Sequence, residues 1–197
     1  MALDMYSILP NEFERLKAAG RRMYEGGLTT GTMGSMGIRL SGGYVAVTAA
    51  GTRLGFLSVS DLLVLSDRQM PVRKNGRVPV MDAAVLAAVL EAQPAAGTVI
   101  RVHSPYATAL AHKGRVFIEH GAEHLECIGG VEYIPLRIES DDGLAGAVAK
   151  ALSEHRAVLV ECQGPFIWGK DIDDAVDHAE ALEAAARVMF ILDRDEV

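Results

Sequence analysis

Apolar residues first recur at helical spacing on Phe13, Leu16 and Met23, which predicts a helix capped by Asn11 and ending near Gly26-Gly27. Thr29 to Gly43 then carries glycine at 31, 34, 37, 42 and 43, a density that predicts turns and close backbone approach. Tyr44–Thr48 reads as a strand closed by the turn Ala49-Ala50-Gly51, and Leu62–Leu65 reads as another. Arg68 to Arg77 is polar and basic, the pattern of an exposed hairpin or loop. Met81-Asp82 opens a helix through about Ala92, with the acid at its positive end, and Pro94 and Gly97 close it. Thr98–Val102 is a buried-looking strand that runs into His103-Ser104-Pro105, and Tyr106–Ala111 starts a helix after the proline. Ile134-Pro135-Leu136 reads as a short edge strand, because proline cannot donate to a ladder. Leu144–Ser153 is helical in pattern, Ala157–Val160 a strand, Gln163-Gly164 a turn and Phe166–Gly169 a further strand. An alanine-rich helix spans about Ile172 to Leu192.

Strands and helices interleave, yet the early strands are short and separated by turns. The expectation is one α/β domain over residues 1–197, with a mixed or antiparallel central sheet flanked by helices. Three of these elements end in polar residues that can meet beside a sheet: Asp82 at a helix start, His103 after a strand and Gln163 in a turn.

Composition narrows the class. Half of the 197 residues are hydrophobic and 23% are charged, enough apolar material for a core and too much for a disordered chain. The net charge of −7 argues against a nucleic-acid partner. The longest purely apolar run, Ala83–Leu90, is far short of the ~20 residues of a membrane span. Two cysteines, Cys127 and Cys162, make no disulfide framework, and Met1–Asp4 shows no basic or apolar leader pattern. A cytoplasmic location is the expectation.

The motif order resembles the class II aldolase/adducin family, which includes zinc-dependent sugar-phosphate aldolases and the head domain of adducin. The resemblance runs over nearly the whole chain, roughly Phe13 to Leu192, within a domain core of about residues 11–192. Gly27–Arg39 is similar to the family's first glycine-rich turn, and Val47–Thr52 to its second. Asp61–Val64 is similar to its "DLV" stretch. Val99–Ala109, with His103-Ser104-Pro105-Tyr106, is similar to its "HTHSPYATA" segment, and Val158–Gly164 to its "HG" turn. The helix holding Glu183 resembles the closing helix of the family. The resemblance implies a homo-oligomer, a tetramer, and one zinc held by three histidines.

The departures from that pattern are chemical. The first metal-ligand position is Arg101, the second is His103 and the third is Gln163. A guanidinium has no lone pair to give, and a carboxamide is a weak zinc ligand, so the family's metal site is expected not to form. The asparagine of the first glycine-rich turn is Ser35, and the serine of the second is Ala50, although Gly51 remains. The serine pair before the family's catalytic glutamate is Val80-Met81, and Asp82 stands at the glutamate position.

The residues expected at the site are therefore Asp82 as catalytic acid or base, and Ser35, Gly51, Arg101, His103, Ser104 and Gln163 as ligand-binding groups. Arg101 can pair with Asp82 and plug the cleft, or join His103 and Gln163 in holding a small carboxylate or enolate-like ligand. No cofactor is expected. The alternative is zinc or another divalent metal relocated to His120 and His124, four residues apart. His112, His155 and His178 read as solvated or helix-surface residues, with His178 near enough to Asp174 on the C-terminal helix for a modest ion pair, and Cys162 reads as a buried inert thiol. The leading function is a small-anion-binding or protein-interaction scaffold on the aldolase fold. The alternative is a divergent aldehyde-lyase or decarboxylase acting on a small sugar-like or carboxylate substrate.

Overall fold

The computed structural model describes residues 10–66, 70–71, 76–114, 128–135 and 141–194. Among the described residues eight strands form one sheet: β1 (Ser35–Arg39), β2 (Val45–Thr48), β3 (Leu62–Ser66), β4 (Met70–Pro71), β5 (Thr98–Arg101), β6 (Val131–Ile134), β7 (Ala157–Val160) and β8 (Gly164–Gly169). Among the described residues five α-helices accompany them: α1 (Pro10–Glu25), α2 (Ala83–Ala92), α3 (Pro105–His112), α4 (Asp141–Glu154) and α5 (Ile172–Arg194). The spatial order is β4-β3-β2-β1-β5-β8-β7-β6. Among the described residues every pairing is antiparallel except β6 with β7. The expected mixed sheet flanked by helices is what the chain forms.

Alternation along the strands sorts the core into two layers. Ile100, Val102, Leu159 and Ile167 pack with Leu16 and Met23 of α1, Leu110 of α3 and Val176 and Leu182 of α5. Their neighbours Val99, Val158, Phe166 and Trp168 face the opposite side, against Leu86, Val89 and Leu90 of α2 and Val148 and Leu152 of α4. Arg101 follows the same alternation as Val99, so its side chain emerges on the α2 side of the sheet.

Three local expectations are corrected. The first helix begins at Pro10, so Asn11 lies inside it; proline suits a first helical position because its missing N–H has no partner to lose. The stretch from Thr29 to Gly43 is not all turn, because β1 forms within it and runs between β2 and β5. Gly37 concealed this strand, and it is glycine for a packing reason. A Cβ there would lie 2.8 Å from Leu86 Cβ, so its absence lets α2 rest directly on the sheet. The edge strand near Pro135 is Val131–Ile134, which stops before the proline; Leu136 lies outside the described residues.

Arg39 fixes the far end of α2. Its Nε donates to Ala96 O at 2.9 Å, and its Nη2 donates to Leu90 O and to Gln93 O. These bonds satisfy carbonyls that a helix end leaves open. The other end of α2, with Asp82 at the N-cap, is thereby aimed at the end of β5.

Candidate functional site

Register brings the site together. Ser35 in β1 is the Cα partner of Arg101 in β5, and Arg101 is also the partner of Phe166 in β8. The tight β7–β8 turn pairs Val160 with Gly164 and leaves Gln163 beside the end of β5. Gly164 has φ +85°, and a Cβ on it would sit 2.9 Å from Val102 O and 3.8 Å from His103 Nδ1. Glycine thus allows this turn to press against the strand end that carries His103.

Asp82 and Arg101 form the centre. Arg101 Nη1 donates to Asp82 Oδ1 at 2.9 Å and to Oδ2 at 2.8 Å. Arg101 Nε donates to the main-chain oxygen of Gln163 at 2.9 Å. Ser35 Oγ, itself fully buried, donates to Asp82 Oδ2 at 2.9 Å. The side chains of Arg101 and Asp82 are 17% and 7% exposed, so the pair is largely shielded from water. The guanidinium carbon also lies 5.8 Å from the centroid of the Phe166 ring. Nη2 has no hydrogen-bond partner among the described residues.

His103 stands two residues beyond Arg101. Burial, then the Arg101 charge, hold its imidazole below the usual histidine range, with Asp82 acting in the opposite sense. Both effects favour the neutral ring, and a neutral imidazole has one nitrogen that accepts a proton. Its backbone N–H donates to Leu28 O at 3.0 Å.

The remaining expected residues are less uniform. Ser35 does not present a free hydroxyl to a ligand; Asp82 occupies it. Gly51 is exposed with φ +76°, and none of the hydrogen bonds that hold Asp82 and Arg101 among the described residues comes from it. Ser104 is fully buried at the N-cap of α3, and its Oγ has no hydrogen-bond partner among the described residues. Gln163 contributes its main-chain oxygen.

Sequence reasoning did not single out Thr108, whose Oγ1 is buried without a partner among the described residues. That hydroxyl would lie 3.1 Å from a Cβ on Gly164. Glu183 has a structural role, since its carboxylate accepts the backbone N–H groups of Tyr106 at 3.0 Å and Ala107 at 2.9 Å. It supplies the N-terminal anion that the Ser104 side chain does not.

Other sequence expectations are revised. Cys162 is exposed, with φ +61° in the turn, because the apolar strand ends before it. His178 is buried rather than solvated: its Nδ1 is 3.2 Å from Trp168 O and its Nε2 4.0 Å from Asp174. His155 is half-buried, and its Nδ1 has no partner among the described residues. Arg77 pairs with Asp61, while Arg68, Arg73 and Lys74 lie outside the described residues, as do His120 and His124. No described helix is long and apolar enough to cross a membrane.

The fold and these motifs define a class. The model of the Class II Aldolase and Adducin N-terminal domain matches residues 14–190, and the chain belongs to that family. It is 28% identical over 189 residues to 3-oxo-tetronate 4-phosphate decarboxylase of Haemophilus influenzae, covering 93% of this chain and 89% of the relative. It is 30% identical over 184 residues to methylthioribulose-1-phosphate dehydratase of Gluconobacter oxydans, covering 88% of each. Among solved structures it is similar to YgbL from Klebsiella pneumoniae, with TM-score 0.78, 26% identity and coverage of 92% and 89%. The two curated relatives are enzymes. They support the enzyme alternative more than the scaffold reading.

Zinc, which the family resemblance implies, does not fit the residues present. The first of the three ligand positions is a guanidinium bonded to Asp82, and every polar atom it carries is a donor. The third offers a carboxamide, and its main-chain oxygen is already bonded to Arg101. Only His103 remains as a conventional zinc ligand at these positions.

Proposed function

We propose that this protein is a lyase of the class II aldolase type that cleaves a small sugar-like or carboxylate substrate with its own side chains. The observation that carries the reading is the Arg101 guanidinium, fixed by Asp82 and the Gln163 carbonyl, two residues from a partly buried His103. Cleavage of a carbon–carbon bond beside a carbonyl leaves an electron pair that must be stabilised as an enolate. A preorganised cation in a partly dry cleft does this, because its orientation costs nothing at the moment of reaction.

Arg101 Nη2 donates to the carbonyl oxygen of the substrate. In an aldol cleavage, His103 takes the proton of the β-hydroxyl; the carbon–carbon bond breaks, and its electron pair moves to the oxygen held by Arg101. The resulting imidazolium returns that proton to the enolate carbon. In a decarboxylation, carbon dioxide leaves with the same shift of electrons, and the carbon gains a proton from solvent that the His103 ring relays. Asp82, bonded to Arg101 and Ser35, keeps the guanidinium in place.

Arg101 and Asp82 sum to zero charge, and Ala50, Val80 and Met81 bring no side-chain donors. Both facts favour a singly charged or neutral ligand over a phosphate dianion.

The test is a panel of small 3-oxo acids and β-hydroxy ketones, with and without phosphate groups, assayed for released carbon dioxide and aldehyde. Turnover is expected to survive chelation and to fall ~10²–10⁴-fold in His103→Gln, the usual range for a positioned acid or base. Turnover restricted to phosphorylated members, or abolished by chelation, overturns the reading.

The closed Arg101–Asp82 pair favours a second reading, a non-catalytic small-anion-binding scaffold. Carboxylate binding dependent on Arg101, with no turnover on the panel, selects it.

A further inference from the structure

The misfit between the donor set and a metal has a structural counterpart. Positions 101, 103 and 163 still converge: Arg101 Nε is 2.9 Å from Gln163 O, and the residue after Gln163 closes on His103. Asp82 remains beside them on the start of α2. The backbone at these positions comes together beside a carboxylate, and what stands among them is itself a cation. It is bonded to Asp82, as a positive ion beside a carboxylate should be.

We propose that the Arg101 guanidinium permanently stands in for a divalent ion in this cleft, so that the native chain takes up no transition metal there, and that returning imidazoles to positions 101 and 163 restores a metal site. The physical argument has two parts. A dication approaching His103 meets a fixed positive charge in a partly buried site, where like charges repel far more than in water. It also finds the Asp82 carboxylate engaged by Arg101 and Ser35. Removing the guanidinium lifts the repulsion and frees Asp82 Oδ1, leaving the carboxylate bonded to Ser35 through Oδ2, while the backbone pairing of β5 and of the β7–β8 turn does not use the side chains at 101 and 163.

The inference rests on the reading above only for the place of the charge, and metal content is measured without reference to turnover. Purified native protein, Arg101→His/Gln163→His and the same double variant carrying His103→Ala are dialysed against zinc, and bound metal is counted by mass spectrometry. Cobalt(II) spectra report whether the coordination is four-fold. Native protein is expected to retain no stoichiometric zinc, the double variant one equivalent, and the His103→Ala derivative markedly less.

A full equivalent on the native chain that disappears in His103→Ala overturns the proposal. A double variant with native circular dichroism that binds no zinc overturns it equally. If the double variant does not fold, Arg101→His alone serves, because the new imidazole, His103 and Asp82 offer three donors. Its melting temperature is expected to rise with added zinc while that of the native chain does not. Equal responses of the two overturn the proposal. A native chain without lyase activity leaves these metal outcomes fully readable.

Discussion

Arg101 Nη1 lies 2.8 Å from Asp82 Oδ2, joining the end of the central strand β5 to the N-cap of α2. One nitrogen spans both carboxylate oxygens, and Ser35 supplies a second donor. A partly buried pair of this kind contributes most when both members are present. Removing one leaves the other charged and poorly solvated.

Arg101→Met is therefore expected to destabilise the fold by ~2–4 kcal/mol, because Asp82 is left without its counter-ion. Arg101→Met/Asp82→Asn should cost clearly less than the two single changes added together. Urea denaturation of the four proteins completes the cycle. Strict additivity would mean that the two side chains do not act on one another in solution.

His103 links pH to stability. Its imidazole is held below the usual range by burial and then by Arg101, so the unfolded chain binds the proton more tightly than the folded one. The contribution is fully present above the unfolded pKa and declines as pH falls through it toward the folded value. The melting temperature should drop with acidification below about pH 6.5, the ordinary histidine value. His103→Gln should flatten that part of the profile. A slope unchanged by the substitution would assign it to other groups.

Glu183 binds α5 to the start of α3 through two backbone N–H groups. Glu183→Ala should cost ~1–2 kcal/mol, the range for a lost N-terminal cap. Because α3 begins two residues after His103, the same variant should shift the His103 ring resonances in a proton NMR spectrum. Thermal denaturation and NMR together separate a local loosening from global loss of fold.

Gly37 tests the close approach of α2 to the sheet. A Cβ at this position meets Leu86 Cβ at 2.8 Å, and both atoms belong to packed elements. Gly37→Ala should destabilise by ~1–3 kcal/mol, in the range of an overpacked core. Gly37→Ala/Leu86→Ala should recover part of that loss. Equilibrium unfolding measures both.

The order of elements was legible because apolar periodicity differs between strand and helix, as in Thr98–Val102 and Ile172–Leu192. The strand at Ser35–Arg39 was not, because Gly37 carries a tertiary requirement that propensity reads as a turn. Cys162 and His178 were misplaced for a related reason: burial depends on what lies opposite. Gly164 holds the β7–β8 turn tight and leaves Cys162 outside, and Trp168 O lies beside the His178 ring.

The amino-acid sequence by itself determined the chemistry available to the cleft: one imidazole, one guanidinium and one carboxylate, at positions whose order resembles a known family. A side chain's donor and acceptor inventory is a property of its type and needs no coordinates. Only the tertiary structure decided what each group does with that inventory. Antiparallel register set Ser35 and Phe166 beside Arg101, and α2 carried Asp82 to its guanidinium across 19 residues of chain. Ser35 consequently serves Asp82 rather than a ligand, because a buried hydroxyl bonds to the nearest strong acceptor and sequence spacing cannot say which one that is.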